Sequence, residues 1–324
     1  MNQAWKKRVE HSEDSKSQNR RQKFACARCK AATSAPITTE RAQAQQCPKC
    51  FGKRKDARKN QLNELSGSEW ALLSKSVEKY PGVRSQKQRT HGAAFPESLA
   101  EAHIKTYTKK GDLVVDPFAG VGTTLDVAAR LGRRSIGIEL SKNFCNIALA
   151  DLPEADDHRI ICDDARNLEA HVAPESANLI LTSPPYATLL KSVKGAFAYK
   201  WREHSNLNVI SNPPPYSKNP KDLGNLTYED FMTAIGQVMR STHHVLKDEA
   251  YAVWVVKDYR DLKAGVPYVN FHGDVIDVAQ MNGFRLWDIR IYDQTQFRPL
   301  VVLGYPSTNY YMNIGHSYIL VFRK

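Results

Sequence analysis

The chain has 324 residues, of which 42% are hydrophobic, so it is long enough to bury the core of one large domain or of two. No stretch approaches the roughly 20 apolar residues of a membrane span, and the amino terminus lacks the apolar segment of a secretory signal. We therefore expect no membrane partner and a reducing, cytoplasmic setting, in which the six cysteines are not interpreted as disulfides.

The net charge of +12 is concentrated at one end of the chain. Residues 1–90 hold 21 Lys and Arg against 8 Asp and Glu, whereas residues 91–324 hold 25 against 26. This asymmetry indicates a polyanionic partner, most commonly nucleic acid, and the alternative is a tail that only improves solubility. We divide the chain into a basic polar tail (1–25), a zinc-binding module (26–60), a helix with a linker (61–90) and a large domain (91–324).

Two Cys-x-x-Cys pairs, Cys26 with Cys29 and Cys47 with Cys50, are separated by 17 residues. This spacing predicts a structural Zn²⁺ site with four thiolate ligands. The residues between the pairs are too small and polar to form a core, so the metal would supply the folding energy. Unliganded thiols or a redox-active pair are the alternative.

A basic run suited to nucleic-acid phosphates follows the module. It consists of Lys53, Arg54, Lys55, Arg58 and Lys59. Ser68 then has the character of a helix N-cap, and the apolar residues Trp70, Leu73, Val77 and Tyr80 follow at helical spacing. The pattern predicts one helix that ends at the Pro-Gly pair after Tyr80.

From residue 112 the chain alternates between strand-like and helix-like segments, which is typical of a βαβ sheet. The first strand opens into Asp116-Pro117-Phe118-Ala119-Gly120-Val121-Gly122-Thr123-Thr124, whose glycines allow the backbone to approach a ligand at a helix N-terminus. A dinucleotide fingerprint would have a third glycine, so a nicotinamide cofactor is disfavoured. The second strand ends at Glu139, which is well placed to accept hydrogen bonds from ribose hydroxyls. The third strand leads into Asp163-Asp164.

The fourth strand delivers Ser183-Pro184-Pro185-Tyr186 at its carboxyl end, where ligands bind in open α/β sheets. Two prolines make a rigid turn and leave a carbonyl able to accept a hydrogen bond. A hydroxyl, a carbonyl and an aromatic ring together can grip a planar base with an exocyclic amine, although a purely structural Pro-Pro turn is the alternative. A similar stretch, Asn212-Pro213-Pro214-Pro215-Tyr216, follows a poorer strand and is interpreted as a loop. Three more strands follow it, near 251–258, 285–292 and 317–322.

Residues 91–324 resemble the S-adenosylmethionine-dependent amino-methyltransferases, which act on cytosine N4 or adenine N6 of DNA. The resemblance implies a Rossmann-like α/β fold with a seven-stranded sheet, in which strand 7 lies antiparallel between strands 5 and 6. It assigns catalysis to Ser183, Pro184, Pro185 and Tyr186. The implied cofactor contacts are Phe95, Asp116, Pro117, Phe118, Gly120, Gly122, Thr123, Thr124 and Glu139, with Asp164 or its rival Asp163 on the adenine amine.

The order of these parts departs from the family's commonest arrangement, in which the catalytic tetrad precedes the cofactor loop. Here the loop comes first, as in a circular permutation. We therefore expect no separate carboxyl-terminal recognition domain. The basic amino-terminal module is the natural substitute. The family's His-Glu-Tyr before the last strand is His316-Ser317-Tyr318 in this chain, so the acid is missing and no role is assigned there.

The resemblance implies a DNA methyltransferase of a prokaryote or phage that acts on double-stranded DNA, with a cognate restriction endonuclease as a further expected partner. Serine at the first tetrad position favours cytosine N4 over adenine N6. The chain contains no Pro-Cys pair, which argues against C5-cytosine chemistry. The alternatives are an RNA base amine methyltransferase and a nucleic-acid-binding protein whose transferase domain is inactive, and a protein glutamine methyltransferase is disfavoured by the basic arm.

Overall fold

A computed structural model describes residues 21–27, 29–36, 45, 60–82, 84–153, 156–186, 219–261, 265–296 and 308–324. The chain divides into two compact units, Met1–Gln61 and Leu62–Lys324. Within the ranges given, every helix is too short or too polar to cross a membrane.

In the amino-terminal unit, strands β1 (Arg21–Ala25) and β2 (Ala32–Pro36) form an antiparallel hairpin. The chain reverses between them through Cys26, whose N–H donates to the Ala31 carbonyl at 2.9 Å and whose carbonyl accepts from Lys30 N–H at 2.8 Å. Lys30 has a left-handed backbone, with φ of 61°. Cys26 is buried and Cys29 is exposed at this turn.

The other half of the predicted metal site, Cys47 and Cys50, lies outside the described residues. Among the residues that are described, no group of three or more potential metal ligands occurs. The zinc site therefore stays a prediction. The basic run 53–59 and the stretch 212–216 also lie outside the described residues.

The large unit is built on a sheet that has eight strands in the described part of the chain. Across the sheet they are β3 (Val77–Glu78), β11 (Arg285–Asp293), β12 (His316–Arg323), β8 (Leu246–Val256), β7 (Ala177–Thr182), β4 (Leu113–Asp116), β5 (Arg134–Glu139) and β6 (His158–Cys162). Only β12 among these runs antiparallel to its neighbours, β8 and β11. Two further strands, β9 (Tyr259–Asp261) and β10 (Val266–Val269), form a separate antiparallel pair.

Helices cover both faces of this sheet. They are α1 (Gly67–Leu73), α2 (Gln86–His91), α3 (Glu97–Tyr107), α4 (Thr123–Arg130), α5 (Lys142–Leu149), α6 (Tyr228–Val245) and α7 (Phe271–Met281), with short 3₁₀ turns at Ala165–Ala170 and Leu223–Asn225. Successive strand residues alternate between the two faces. Val115 belongs to the core that includes Phe231 of α6, whereas Val114 belongs to the core that includes Leu99 of α3.

The predictions of seven strands and of one helix from Ser68 to Tyr80 were wrong. Helix α1 starts after Ser66, whose side chain caps it, and it ends at Leu73. The carbonyl of Leu73 accepts instead from the buried guanidinium of Arg290 at 2.8 Å. The chain then forms β3, the eighth strand, parallel to β11. Residues more than 200 positions away in sequence thus end the helix, which local spacing could not predict.

Candidate active site

A cleft opens at the carboxyl ends of β4, β5 and β7, and its volume out to the open mouth is about 950 Å³. Most of the predicted cofactor and catalytic residues line it. They are Phe95, Asp116, Pro117, Phe118, Gly120, Thr123, Thr124, Glu139, Asp164, Ser183, Pro184, Pro185 and Tyr186.

Asp116, at the end of β4, is 2% exposed and serves as the polar centre of the cleft floor. Its carboxylate accepts hydrogen bonds from the Thr124 hydroxyl at 2.6 Å and the Thr182 hydroxyl at 2.6 Å. It also accepts from the backbone N–H of Phe118 at 3.0 Å. Burial raises the pKa of Asp116 to about 6, against the opposing effect of these three donors. One carboxylate thus joins the glycine loop, the start of α4 and the strand that carries the tetrad.

Glu139, at the end of β5, has each carboxylate oxygen held by a backbone N–H. Gly120 N–H donates to Oε2 at 2.9 Å and Ser141 N–H donates to Oε1 at 2.7 Å. Burial raises the pKa of Glu139 to about 7, and the negative charges of Asp116 and Asp222 act in the same direction. A carboxylate has about four acceptor sites, so both oxygens can still accept from a ligand.

The two glycines of the loop have different environments. Gly120 has φ of 54° and lies so close to His91 that a Cβ there would be 2.9 Å from the imidazole Nε2. Gly122 has φ of 81° and faces helix α5, where a Cβ would be 2.9 Å from the Ala148 Cβ. Gly120 therefore shapes the cleft, whereas Gly122 lets α4 approach α5 closely.

The two candidate adenine-contacting acids point in different directions. Asp164 lines the cleft, and its carboxylate accepts a two-pronged contact from Arg166, with Nη2 at 2.5 Å and Nε at 2.9 Å. The Asp163 carboxylate instead accepts from His171 at 2.7 Å and from Asn167 at 3.0 Å. The hydrogen bond with His171 lowers the pKa of Asp163 to about 2. The geometry thus favours Asp164 over Asp163 as the ligand contact.

The tetrad follows β7 directly. Ser183 Oγ donates its proton to the Val255 carbonyl of β8 at 2.9 Å, which leaves the oxygen's lone pairs as its remaining hydrogen-bonding capacity. The Tyr186 ring is edge-on to Phe271 at 5.5 Å and to Tyr259 at 6.3 Å between ring centres. A hydroxyl oriented as an acceptor and a ring fixed by aromatic neighbours therefore lie in the same cleft as Glu139.

Two residues that line the cleft, His91 and Asp222, are not among the individually predicted contacts. His91 lies beside the Phe144 ring at 4.7 Å, and burial together with the nearby Arg84 lowers its pKa to about 4, so the imidazole is neutral at physiological pH. Asp222 is 4% exposed and begins the short turn that contains Leu223. Its side chain caps this turn by accepting from Gly224 N–H, but no local signal in the sequence places Asp222 in the cleft. With Asp116, Glu139 and Asp164, it gives the cleft four carboxyl groups.

The DNA methylase family model N6_N4_Mtase matches residues 2–150, a stretch that includes the glycine loop and Glu139. This stretch of the chain is therefore similar to that family. It is 53% identical over 58 residues to the orphan methyltransferase M.BamHII of Bacillus amyloliquefaciens, covering 18% of this chain and 22% of that protein. It is 47% identical over 76 residues to the type II methyltransferase M2.DpnII of Streptococcus pneumoniae, covering 24% and 26%.

These alignments span about a quarter of the length of the curated relatives. Among solved structures, TrmN from Thermus thermophilus has a TM-score of 0.42 and 16% identity, over 74% of this chain and 52% of that one. At that similarity the likeness adds nothing about this chain's activity. The sheet order and the position of the cleft are properties of the chain's own structure.

Proposed function

We propose that this chain transfers a methyl group from S-adenosylmethionine to the exocyclic amine of a base in double-stranded DNA, with cytosine N4 as the favoured position. The observation that carries the proposal is the shared cleft: Ser183 with its oriented hydroxyl lies with Glu139 and Gly120 around one space. A donor-binding half and a base-binding half are both needed for such a transfer.

The side chains of the cleft fit S-adenosylmethionine. Glu139 would accept hydrogen bonds from the ribose hydroxyls, because its oxygens keep acceptor capacity beyond the two backbone donors. The absence of a Cβ at Gly120 lets a ligand approach the start of α4 closely. The acidic lining favours a cation over a neutral or anionic ligand. When bound, the cofactor supplies a methyl group on a positively charged sulfur.

The tetrad would hold the target amine in a reactive geometry. The Ser183 proton is directed to Val255, so Ser183 Oγ would accept one amine hydrogen, and the Pro184 carbonyl would accept the other. These contacts favour a pyramidal nitrogen whose lone pair points at the methyl group, and most of the rate gain comes from this alignment. Tyr186 would stack on the base once it is flipped out of the duplex. The amine loses its proton after the transfer, so no strong base is required.

Mass spectrometry of nucleosides tests this function. The full chain is incubated with isotopically labelled cofactor and with either duplex DNA or RNA, with the Ser183→Ala variant as the matched control. We expect labelled N4-methyl-deoxycytidine from DNA and a loss of the label in the control. Labelled N6-methyl-deoxyadenosine would redirect the base assignment, and label only in RNA would replace the substrate. Cofactor binding without any methylated nucleoside would indicate an inactive domain.

We also propose a structural Zn²⁺ held by Cys26, Cys29, Cys47 and Cys50. The described half supports it. Cys26 is buried at a turn that is closed by backbone hydrogen bonds, and Cys29 lies in the same turn. Elemental analysis of protein purified without chelators should find one zinc per chain. The double change Cys26→Ser and Cys29→Ser should remove it, whereas Cys162→Ser, at an exposed cysteine of β6, should not. Protein without metal would overturn the proposal.

Duplex binding is proposed to depend on the basic run. Each lost phosphate contact removes close to one unit of slope from log K against log salt. Replacing Lys53, Arg54, Lys55, Arg58 and Lys59 with serine in the full chain should therefore weaken DNA binding at all sequences and flatten its salt dependence. An unchanged slope would assign recognition to another part of the protein. A cognate endonuclease remains an expectation from the family resemblance.

A further inference from the structure

The strands β9 and β10 present an aromatic cluster at the edge of the sheet where the tetrad lies. Tyr268 of β10 is 42% exposed, and Tyr310 and Met312 are 60% and 71% exposed. The Arg260 guanidinium packs on the ring of Tyr268 and on the ring of Tyr311, at 5.2 Å from each ring centre. We call Tyr268, Arg260 and Tyr311 the tyrosine–arginine stack.

The stack is held rigidly by polar contacts. The Tyr268 hydroxyl donates to the fully buried Asp258 carboxylate at 2.6 Å. Arg260 donates to the carbonyl of Pro267 at 2.6 Å and to the carbonyl of Met312 at 3.1 Å. An exposed ring whose hydroxyl is anchored in the protein keeps one orientation, so it loses little side-chain entropy when a ligand packs on it.

The stack is continuous with the proposed base site. Asp258 lies two residues beyond the carboxyl end of β8, the strand whose Val255 carbonyl accepts from Ser183. Tyr259, the next residue, lies edge-on to the Tyr186 ring. In this short segment Tyr259 contacts the tetrad, and Asp258, the residue before it, anchors Tyr268.

We propose that the tyrosine–arginine stack is a stacking surface for nucleic-acid bases beside the flipped target base. This inference rests on the proposed function and adds the residues that contact the substrate strand. Every base has a flat π face, so an exposed tyrosine ring backed by an arginine binds bases with little dependence on sequence. The large domain is close to neutral in charge, so stacking would supply affinity there that phosphate contacts do not.

A second cluster of similar composition provides a matched control. Arg323 packs over the Trp287 ring at 4.4 Å, and Trp287 is 51% exposed. Trp287 lies in the first half of β11, and this part of the strand is opposite the carboxyl end of β12. Trp287 therefore lies away from the edge of the sheet that carries the tetrad. If any exposed ring packed against an arginine bound DNA, the two clusters would contribute equally to DNA affinity.

The test measures binding of a fluorescently labelled DNA duplex by the full chain as wild type, Tyr268→Ala, Tyr268→Phe and Trp287→Ala. We expect Tyr268→Ala to weaken binding roughly 5- to 100-fold, the loss of one stacked base, with cofactor affinity and melting temperature near those of the wild type. Tyr268→Phe keeps the ring and should retain most of the affinity. Trp287→Ala should bind like the wild type.

Equal losses of DNA affinity in Tyr268→Ala and Trp287→Ala, or no loss in either, would overturn the stacking surface. The proposed function would still stand if the wild type methylates DNA. If the melting temperature of Tyr268→Ala is much lower than that of the wild type, the DNA affinity of Tyr268→Phe decides the outcome. A Tyr268→Phe affinity as low as that of Tyr268→Ala would overturn the proposal. Wild-type protein that neither binds nor methylates DNA would overturn both proposals together.

Discussion

The two ends of the cleft are held by different kinds of interaction. At the cofactor end, Asp116 and Glu139 together accept five hydrogen bonds from the glycine loop and its neighbours. At the base end, Ser183 makes one described hydrogen bond and Tyr186 is positioned by aromatic rings. A buried carboxylate that accepts several hydrogen bonds fixes the positions of its donors. Removing the carboxylate leaves those donors without a partner and lowers the stability of the fold. The base end can therefore lose chemistry without losing the fold, whereas loss of Asp116 at the cofactor end should also lower stability.

The largest effect that would sharpen this comparison is expected from Asp116→Ala. The change leaves the Thr124 and Thr182 hydroxyls and the Phe118 N–H as buried donors without their acceptor. We expect a loss of about 3 kcal/mol or more in the free energy of unfolding, measured by urea denaturation. Asp163→Ala, at a partly exposed acid directed away from the cleft, should cost much less. Equal costs for the two variants would mean that the network at Asp116 does not hold the loop.

The next largest effect is expected from Ser183→Ala, and it should fall on turnover. Losing one acceptor for the amine should lower the methylation rate about 100-fold, in line with the loss of one hydrogen bond to a reacting group. Cofactor affinity and the urea midpoint should stay close to those of the wild type. Ser176→Ala, at the residue before the amino end of β7, is the control and should be fully active. A destabilised Ser183→Ala variant would break the contrast between the two ends.

At the cofactor end, Glu139→Ala should weaken S-adenosylmethionine binding at least tenfold, about 1.4 kcal/mol, while the protein stays folded. The reason is the loss of both oxygens that would accept from the ribose. Calorimetry measures the affinity, and Glu169→Ala, at an exposed acid outside the cleft, is the control. Unchanged affinity in a folded Glu139→Ala protein would remove Glu139 from the ribose site.

The last prediction concerns pH. Burial raises the pKa of Glu139 from 4.5 to about 7, so the folded, ligand-free protein binds this proton more tightly than the unfolded chain. The contribution of this carboxyl to stability is complete below its unfolded pKa of 4.5 and is lost as pH rises through about 7. Cofactor affinity should change in the opposite direction, because the ionised carboxylate is the better acceptor.

Urea denaturation at about pH 5 and about pH 8 should show this loss in the wild type and a smaller change in Glu139→Gln. The amide cannot titrate, and it preserves the size of the side chain. Calorimetry at the same two pH values should show tighter cofactor binding at the higher one for the wild type only. Identical pH profiles for the two proteins would show that Glu139 does not titrate in this range.

Much of the cofactor end was predictable because its residues are adjacent in sequence. The glycine loop and Glu139 follow their strands directly, and strand ends of a parallel sheet meet at one edge. The choice between Asp163 and Asp164 was not predictable in this way. Two neighbouring acids have the same local signal, and the positions of His171 and Arg166 decide which one faces the cleft.

The sequence by itself determined the alternation of strands and helices and the motifs at the strand ends, because these depend on local periodicity and on turn residues. Only the tertiary structure decided the end of α1, the eighth strand, the place of Asp222 in the cleft and the proton direction of Ser183. Each of these depends on a donor or acceptor far away in the chain. Hydrogen-bonding groups that become buried must find partners wherever the fold brings them, and that pairing has no local signal.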